Sequence, residues 1–237
     1  MVSSIFDILR RGVSPPPRKT KLVEKQSAVR AIPASWYTSQ EMYELEKRAI
    51  FTRRWLLITH GHRLKQVGDW LHYDVVNINF VLYRAGDGNI HGVRNASTYH
   101  EISADHFPIH IHIDYNGFIW VNLDDNEVPE ISWDELFEGI DRQDRYEGLN
   151  FDDYEFDHSW QMDGPYNWKI ASDNYNECYH CATTHPDLKA LTNLESYRVE
   201  TNAGWIKHFV GTKPEEEAQG RRVHPTYFYP SSSMNVS

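Results

Sequence analysis

Six short apolar runs between Trp55 and Leu123 limit what this chain can fold into more than any other feature. They are Trp55–Ile58, Trp70–Tyr73, Ile78–Tyr83, Ile90–Val93, Ile109–Ile113 and Phe118–Leu123. Runs this short, rich in β-branched and aromatic residues, read as strands rather than helices. Gly68-Asp69, Gly86-Asp87-Gly88 and Asn116-Gly117 fall where the backbone must reverse, and they supply the conformations that tight turns need. The pattern predicts an antiparallel β meander that closes on a hairpin at Asn116-Gly117. Upstream, Thr38 offers a helix N-cap, with Glu41 completing a capping box. Met42, Leu45, Ala49 and Ile50 then recur at helical spacing, so residues 39–52 are expected to be a helix.

The second half reads differently. Residues 124–152 are acidic and connect two subdomains, with a short helix at Trp133–Phe137. A strand is expected at Tyr154–Met162 and a helix over residues 165–183. Pro186 should end that helix, because a residue before proline is pushed out of the helical region. Tyr197–Thr201 and Trp205–Phe209 read as strands, Lys213–Arg222 as a charged loop, and Tyr227–Pro230 as the start of another ordered piece. The fold class is therefore α+β. Three parts are expected: a disordered tail over 1–33, a helix with a β domain over 34–125, and a second domain over 126–237.

Composition narrows the function. The formal net charge is -10, from 34 acids against 24 bases, which argues against a broad nucleic-acid surface. No apolar run reaches membrane-spanning length. Residues 10–30 are basic, but Pro15, Pro16 and Pro17 oppose the amphipathic helix of a mitochondrial transit peptide. A cytoplasmic location is the expectation. Aromatic residues make up 14% of the chain, enough to line a pocket for an organic cation or a flat apolar substrate as well as to fill a core. Only Cys178 and Cys181 are present, so a disulfide scaffold is excluded and a reducing compartment is expected.

The chemistry gathers in Asn167–Pro186. Asp173, Glu177, His180 and His185 lie within about three helical turns. Neutral imidazoles with nearby carboxylates suit a divalent iron site that keeps coordination positions open. Glu177 and His180 share one helix face, whereas His180 and His185 are roughly 140° apart on a regular helix. They meet at one metal only if the helix loosens or ends between them. A second reading draws Cys178, Cys181, His180 and His185 together around zinc, and a third makes the cysteines a redox pair. Inert packing cysteines are the simplest reading. A further cluster is His106, His110, His112 and Asp114: in a strand, His110, His112 and Asp114 fall on one face, which can bind zinc but reads more simply as a half-exposed antiparallel strand.

Asn167-Trp168-Lys169, Asp173-Asn174, Glu177-Cys-Tyr-His180 and His185-Pro186 together resemble the mononuclear-iron motif of Rieske-type non-heme iron oxygenase alpha subunits, in the choline and carnitine monooxygenase-like branch. Pro33–Tyr37, Glu46–Phe51, Gly68-Asp69 and Gly117–Asp124 carry the same likeness. The resemblance implies a Rieske-like β domain followed by the N-terminal part of a helix-grip-like catalytic domain. It makes His180 and His185 ligands of Fe(2+). It makes Glu177 the acidic residue that passes electrons from a neighbouring subunit. It also implies an oxidoreductase that hydroxylates or demethylates a small organic substrate, choline-like by analogy, served by a reductase and assembled as a homotrimer.

The family's [2Fe-2S] cluster needs paired Cys-x-His and Cys-x2-His ligands. Ser97 and Tyr99 stand where the first pair belongs, and the loop for the second pair is missing between His100 and Ile109. The family's third iron ligand, a carboxylate, falls after the segment that Phe228–Asn235 resembles, where this sequence stops; Asp173 or Asp187 is a candidate substitute. A shortened, catalytically inactive homologue kept as a binding or assembly partner is the competing expectation, and a zinc-binding module is the third.

Overall fold

The computed structural model describes residues 31–103 and 105–236. The expected tail lies outside the described residues, apart from 31–33. Residues 34–237 form one unit.

The first turn of helix, α1 (Ser35–Thr38), leads into α2 (Gln40–Glu46). The cap of α2 is Ser39 rather than Thr38: the Ser39 hydroxyl accepts the Met42 N–H at 3.1 Å. Thr38 instead closes α1, donating to the Ala34 carbonyl. The helix expected over 39–52 does continue, but as a π turn over Lys47–Phe51. That wider turn keeps Phe51 buried, beneath the Trp168 ring at 5.3 Å.

The meander forms as expected, divided into two antiparallel sheets. β1 (Trp55–His60), β6 (Phe118–Asn122) and β5 (His110–Ile113) make one, in the order β1-β6-β5. β2 (Trp70–Val75), β3 (Ile78–Arg84) and β4 (Ile90–Arg94) make the other, in chain order. Gly117 carries φ +84° in the β5–β6 hairpin, a conformation that favours glycine. Leu56, Phe80, Leu82, Ile119, Val121 and Leu123 are buried in a shared core. His112 does not face solvent as the half-exposed strand expectation had it. It stacks on Trp133 with ring centroids 4.0 Å apart, while Ile113 on the other face is the exposed one.

After α3 (Trp133–Phe137), capped by a complete Ser132–Glu135 box, the chain passes through single helical turns to Asp153. The strand expected at Tyr154–Met162 is not paired. Among the described residues, Glu155 to Asp163 make no backbone–backbone hydrogen bond. Then follow α4 (Trp168–Asn176), α5 (Cys181–Thr184) and α6 (Pro186–Leu191). A four-stranded antiparallel sheet comes last. It consists of β7 (Thr192–Thr201), β8 (Trp205–Thr212), β9 (His224–Phe228) and β10 (Ser232–Val236), with α7 (Pro214–Glu217) inside the expected charged loop.

The two halves share an aromatic core. Trp55, Trp120, Trp133, Phe137 and Phe228 are buried together. Trp120 packs on Phe137 at 4.5 Å and on Phe228 at 5.2 Å. Charged side chains add to this. Lys169 on α4 is paired with Glu46 on α2, and both are nearly inaccessible. Among the described residues Arg145 has no carboxylate partner; it donates to the carbonyls of His208 at 2.8 Å and Pro225 at 3.2 Å, and to the Thr226 hydroxyl. Its guanidinium thereby ties the loop after α3 to β8 and β9, replacing lost hydration with directed hydrogen bonds.

Candidate metal centre

The helix expected as one piece over 165–183 is two pieces, α4 and α5, and the break between them creates the site. α4 starts on the Asn167 side chain, which accepts the Lys169 N–H at 3.0 Å. It stops at Glu177, whose backbone is extended (φ −111°, ψ 153°). The Glu177 carboxylate then holds the next turn. One oxygen accepts the Tyr179 N–H at 2.6 Å, and the other accepts the His180 Nδ1–H. The His180 bond is the main reason that this carboxyl is held below the usual glutamate range.

His180 and His185 sit at the two ends of α5, as its N- and C-cap residues. One turn of helix between them brings the rings to 5.1 Å between centroids, at 71°. The convergence that a regular helix denies is therefore reached by breaking the helix. Pro186 acts on both sides: α5 ends at the residue before it, as expected, and Pro186 itself occupies the first position of α6. Its missing N–H costs nothing there, and the residue before it, His185, adopts the non-helical backbone that a proline imposes (φ −118°, ψ 74°).

Cys178 and Cys181 are not separate packing thiols. They are joined in a disulfide that spans Tyr179 and His180. In this state neither sulfur is a thiolate donor, so the four-ligand zinc reading loses half its ligands. Asp173 is engaged elsewhere, accepting from the Tyr37 hydroxyl at 2.8 Å. Among the described residues no group of three or more His, Cys, Asp or Glu side chains is placed to hold one metal ion. Neither Asp173 nor Asp187 is thus grouped with the two imidazoles in this structure. The other histidine cluster is structural: His110 donates to the Asn126 carbonyl, His106 binds Ser103, and His112 stacks on Trp133. Where the first cluster pair was expected, the Ser97 N–H binds Glu101 and Tyr99 packs on Tyr83 at 5.2 Å.

Three residues that the sequence did not single out hold the end of α4. Asn176 donates to the Ser172 carbonyl at 2.8 Å, so its amide oxygen is free to accept from His208 Nε2 at 3.1 Å. That tautomer leaves His208 Nδ1 to accept from the Tyr197 hydroxyl at 2.7 Å. The directed chain runs Tyr197, His208, Asn176, Ser172, and it anchors α4 to β7 and β8 one residue before Glu177. Burial, with Arg145 nearby, pushes His208 down to about 4, so it is neutral. Burial raises Tyr197, with the Glu177 charge adding to it.

Residues 151–230 match the catalytic domain of ring hydroxylating alpha subunits. The chain is homologous to the oxygenase subunit of carnitine monooxygenase and to choline monooxygenase. The oxygenase subunit of Acinetobacter pittii carnitine monooxygenase is 24% identical over 254 residues, covering 86% of this chain and 67% of that protein. Spinach choline monooxygenase is 24% identical over 213 residues, covering 70% of this chain and 47% of that one. Among solved structures, a quaternary ammonium Rieske monooxygenase bound to L-carnitine superposes with a TM-score of 0.66 at 22% identity, over 85% of this chain and 66% of that one. Naphthalene 1,2-dioxygenase from Rhodococcus gives 0.60 at 18% identity, over 82% and 62%. The chain spans about two thirds of the length of the carnitine monooxygenase subunits that it matches. Among the described residues no helix is long and apolar enough to cross a membrane.

Proposed function

We propose that this chain is an iron-dependent oxidoreductase of the Rieske-oxygenase type, with His180 and His185 as the protein ligands of a mononuclear ferrous ion. One observation carries this reading: two imidazoles converge at 5.1 Å, and one of them has its outer nitrogen fixed by a carboxylate. A ligating histidine generally donates its other N–H to such an acceptor, which sets the tautomer and the ring direction. Glu177 keeps the proton on His180 Nδ1 and leaves Nε2 as the donor atom. The disulfide and the Tyr197–His208–Asn176 chain keep the turn that carries Glu177 in place. A bound ferrous ion would supply the capacity to reduce dioxygen; the residues supply its position and open faces. Substrates of the carnitine and choline class are proposed by homology, as are a reductase and a ring-shaped homotrimer. We also assign 34–125 to a degenerate Rieske-like domain and 126–237 to the catalytic domain.

The residues present do not fit a [2Fe-2S] cluster. Both cysteines of the chain lie at 178 and 181, bonded to each other, and Ser97 and Tyr99 are engaged in packing the loop near residue 97. No step is therefore routed through one. This mismatch favours the second reading, a homologue that binds metal or a companion protein without turning over.

Anaerobic titration with Fe(II), and with Co(II) as its coloured substitute, decides whether the site takes metal. Wild type is expected to bind one ion per chain, and His180→Ala or His185→Ala to abolish binding. Glu177→Ala should weaken affinity by about 10- to 100-fold, the range typical for loss of a supporting carboxylate, and Glu177→Gln should recover part of it. Equal binding by wild type and His180→Ala would remove the proposal.

A further inference from the structure

We infer, on the reading of His180 and His185 as metal ligands, that Tyr197 and His208 are positioning residues of the metal centre. Through Asn176 they fix where α4 ends, and with it the Glu177 carboxylate and the proton on His180. Asn176 is the last residue of α4, and its peptide group leads into the extended backbone of Glu177. Three contacts hold it. Its side-chain amide donates to the Ser172 carbonyl at 2.8 Å and accepts from His208 Nε2 at 3.1 Å. Its main-chain carbonyl is one of the last four that no N–H of the helix can reach, and it lies 3.4 Å from the Tyr197 hydroxyl. That hydroxyl gives its proton chiefly to His208 Nδ1, at 2.7 Å. The next residue is Glu177, which accepts the His180 Nδ1–H.

The sheet is shaped to bring Tyr197 there. Val199 pairs with His208, so Tyr197, two residues before it, is within diagonal reach of that imidazole. The register then breaks. Asn193 stands opposite Gly211 and Arg198 opposite Phe209, which leaves residues 194–197 of β7 facing Val210 of β8 alone. Ser196 closes this bulge: its hydroxyl donates to the Asn193 carbonyl at 2.7 Å and accepts the Gly211 N–H at 2.8 Å. A bulge interrupts the ladder and re-aims the side chain beside it. His208 is buried. An apolar side chain there could pack α4 on the sheet; an imidazole with both nitrogens bonded also fixes the direction in which the helix end faces. Groups that orient the acceptor behind a metal-bound imidazole act through the tautomer and aim of that ligand, without touching the ion.

Proton–nitrogen-15 NMR of the His180 ring in the full, metal-free chain tests this without any metal, at about pH 8 where a free imidazole is neutral. The signal is assigned by its loss in His180→Gln. Wild type is expected to carry the ring proton on Nδ1 alone. Tyr197→Phe and His208→Leu should add an Nε2–H population; His208→Gln, whose amide keeps both bonds, should not. Affinity for Co(II) should follow: about 2- to 10-fold weaker in Tyr197→Phe, for one lost hydrogen bond, about 10- to 100-fold weaker in His208→Leu, and near wild type in His208→Gln. Tyr175→Phe removes a hydroxyl from the same helix, one that donates to Asn235 at 2.9 Å, and should alter neither readout. If His208→Leu does not fold, Tyr197→Phe, which loses a single oxygen, decides. Wild-type tautomer and affinity in the folded variants overturn the inference and leave the metal reading intact. An equal shift in Tyr175→Phe also overturns it, because the cause is then general loosening of α4. Wild type without affinity for Co(II) removes the metal reading instead, and the tautomers alone then judge whether Tyr197 and His208 govern His180.

Discussion

Replacing Glu46 with leucine is expected to lower the unfolding free energy by about 3–5 kcal/mol, and replacing Lys169 with methionine by a similar amount. The pair joins α2 to α4 with almost no solvent access. Removing one member leaves the other charged and buried. In Glu46→Leu the Trp168 Nε1–H also loses its acceptor, which now lies at 2.8 Å. The Lys169 ammonium is further cradled by the rings of Trp36 at 5.4 Å and Trp168 at 5.5 Å, and those contacts do not replace a counter-charge. The double variant Glu46→Leu/Lys169→Met should regain most of the loss, because an apolar pair of similar volume avoids both desolvation costs. Urea denaturation of the four proteins gives the cycle. Additive losses would show that the two side chains act independently.

The second large effect is on acid stability. His208 is a base whose folded pKa, about 4, lies below its ordinary 6.5. The unfolded chain binds this proton at a higher pH than the folded one. The stabilisation is therefore complete above about 6.5 and is lost as pH falls toward 4, by roughly 3 kcal/mol. Asp114, raised to about 6 by burial, works the other way over much of the same range, so the wild-type curve alone does not isolate His208. His208→Gln does: its amide can donate to Asn176 and accept from Tyr197 without titrating. The variant should match wild type near pH 4.5 more closely than at pH 7. Parallel curves for the two proteins from pH 7 to 4 would rule His208 out as the source.

The strands were legible because their cause is local. Asn116-Gly117 and Gly86-Asp87-Gly88 state where the chain turns, and the runs between them need only one buried face. The grouping of Glu177, His180 and His185 was legible as a spacing, but its geometry was not. The extended backbone at Glu177 is held by one bond made across the fold, from His208 to Asn176, and by one local bond, from His180 to Glu177, and neither shows in a helical periodicity. Pro186 was legible as a stop, because the residue before a proline leaves the helical region, but its second place as the first residue of α6 was not. Tyr197 and His208 left no signal: each is an ordinary strand residue until the sheet sets it against α4. The segment 154–162 has a strand's sequence, yet among the described residues no strand pairs with it, which no pattern within the segment reports.

The small ring closed by Cys178 and Cys181 has a consequence for how the protein is handled. A ring with a sequence separation of 3 restricts the unfolded chain very little, so opening it takes little from global stability. Its grip is local, on the two residues it encloses, and one of those is His180. Two preparations that differ only in added dithiol would then melt together yet differ in how well the imidazole is aimed, and a melting curve would not tell them apart.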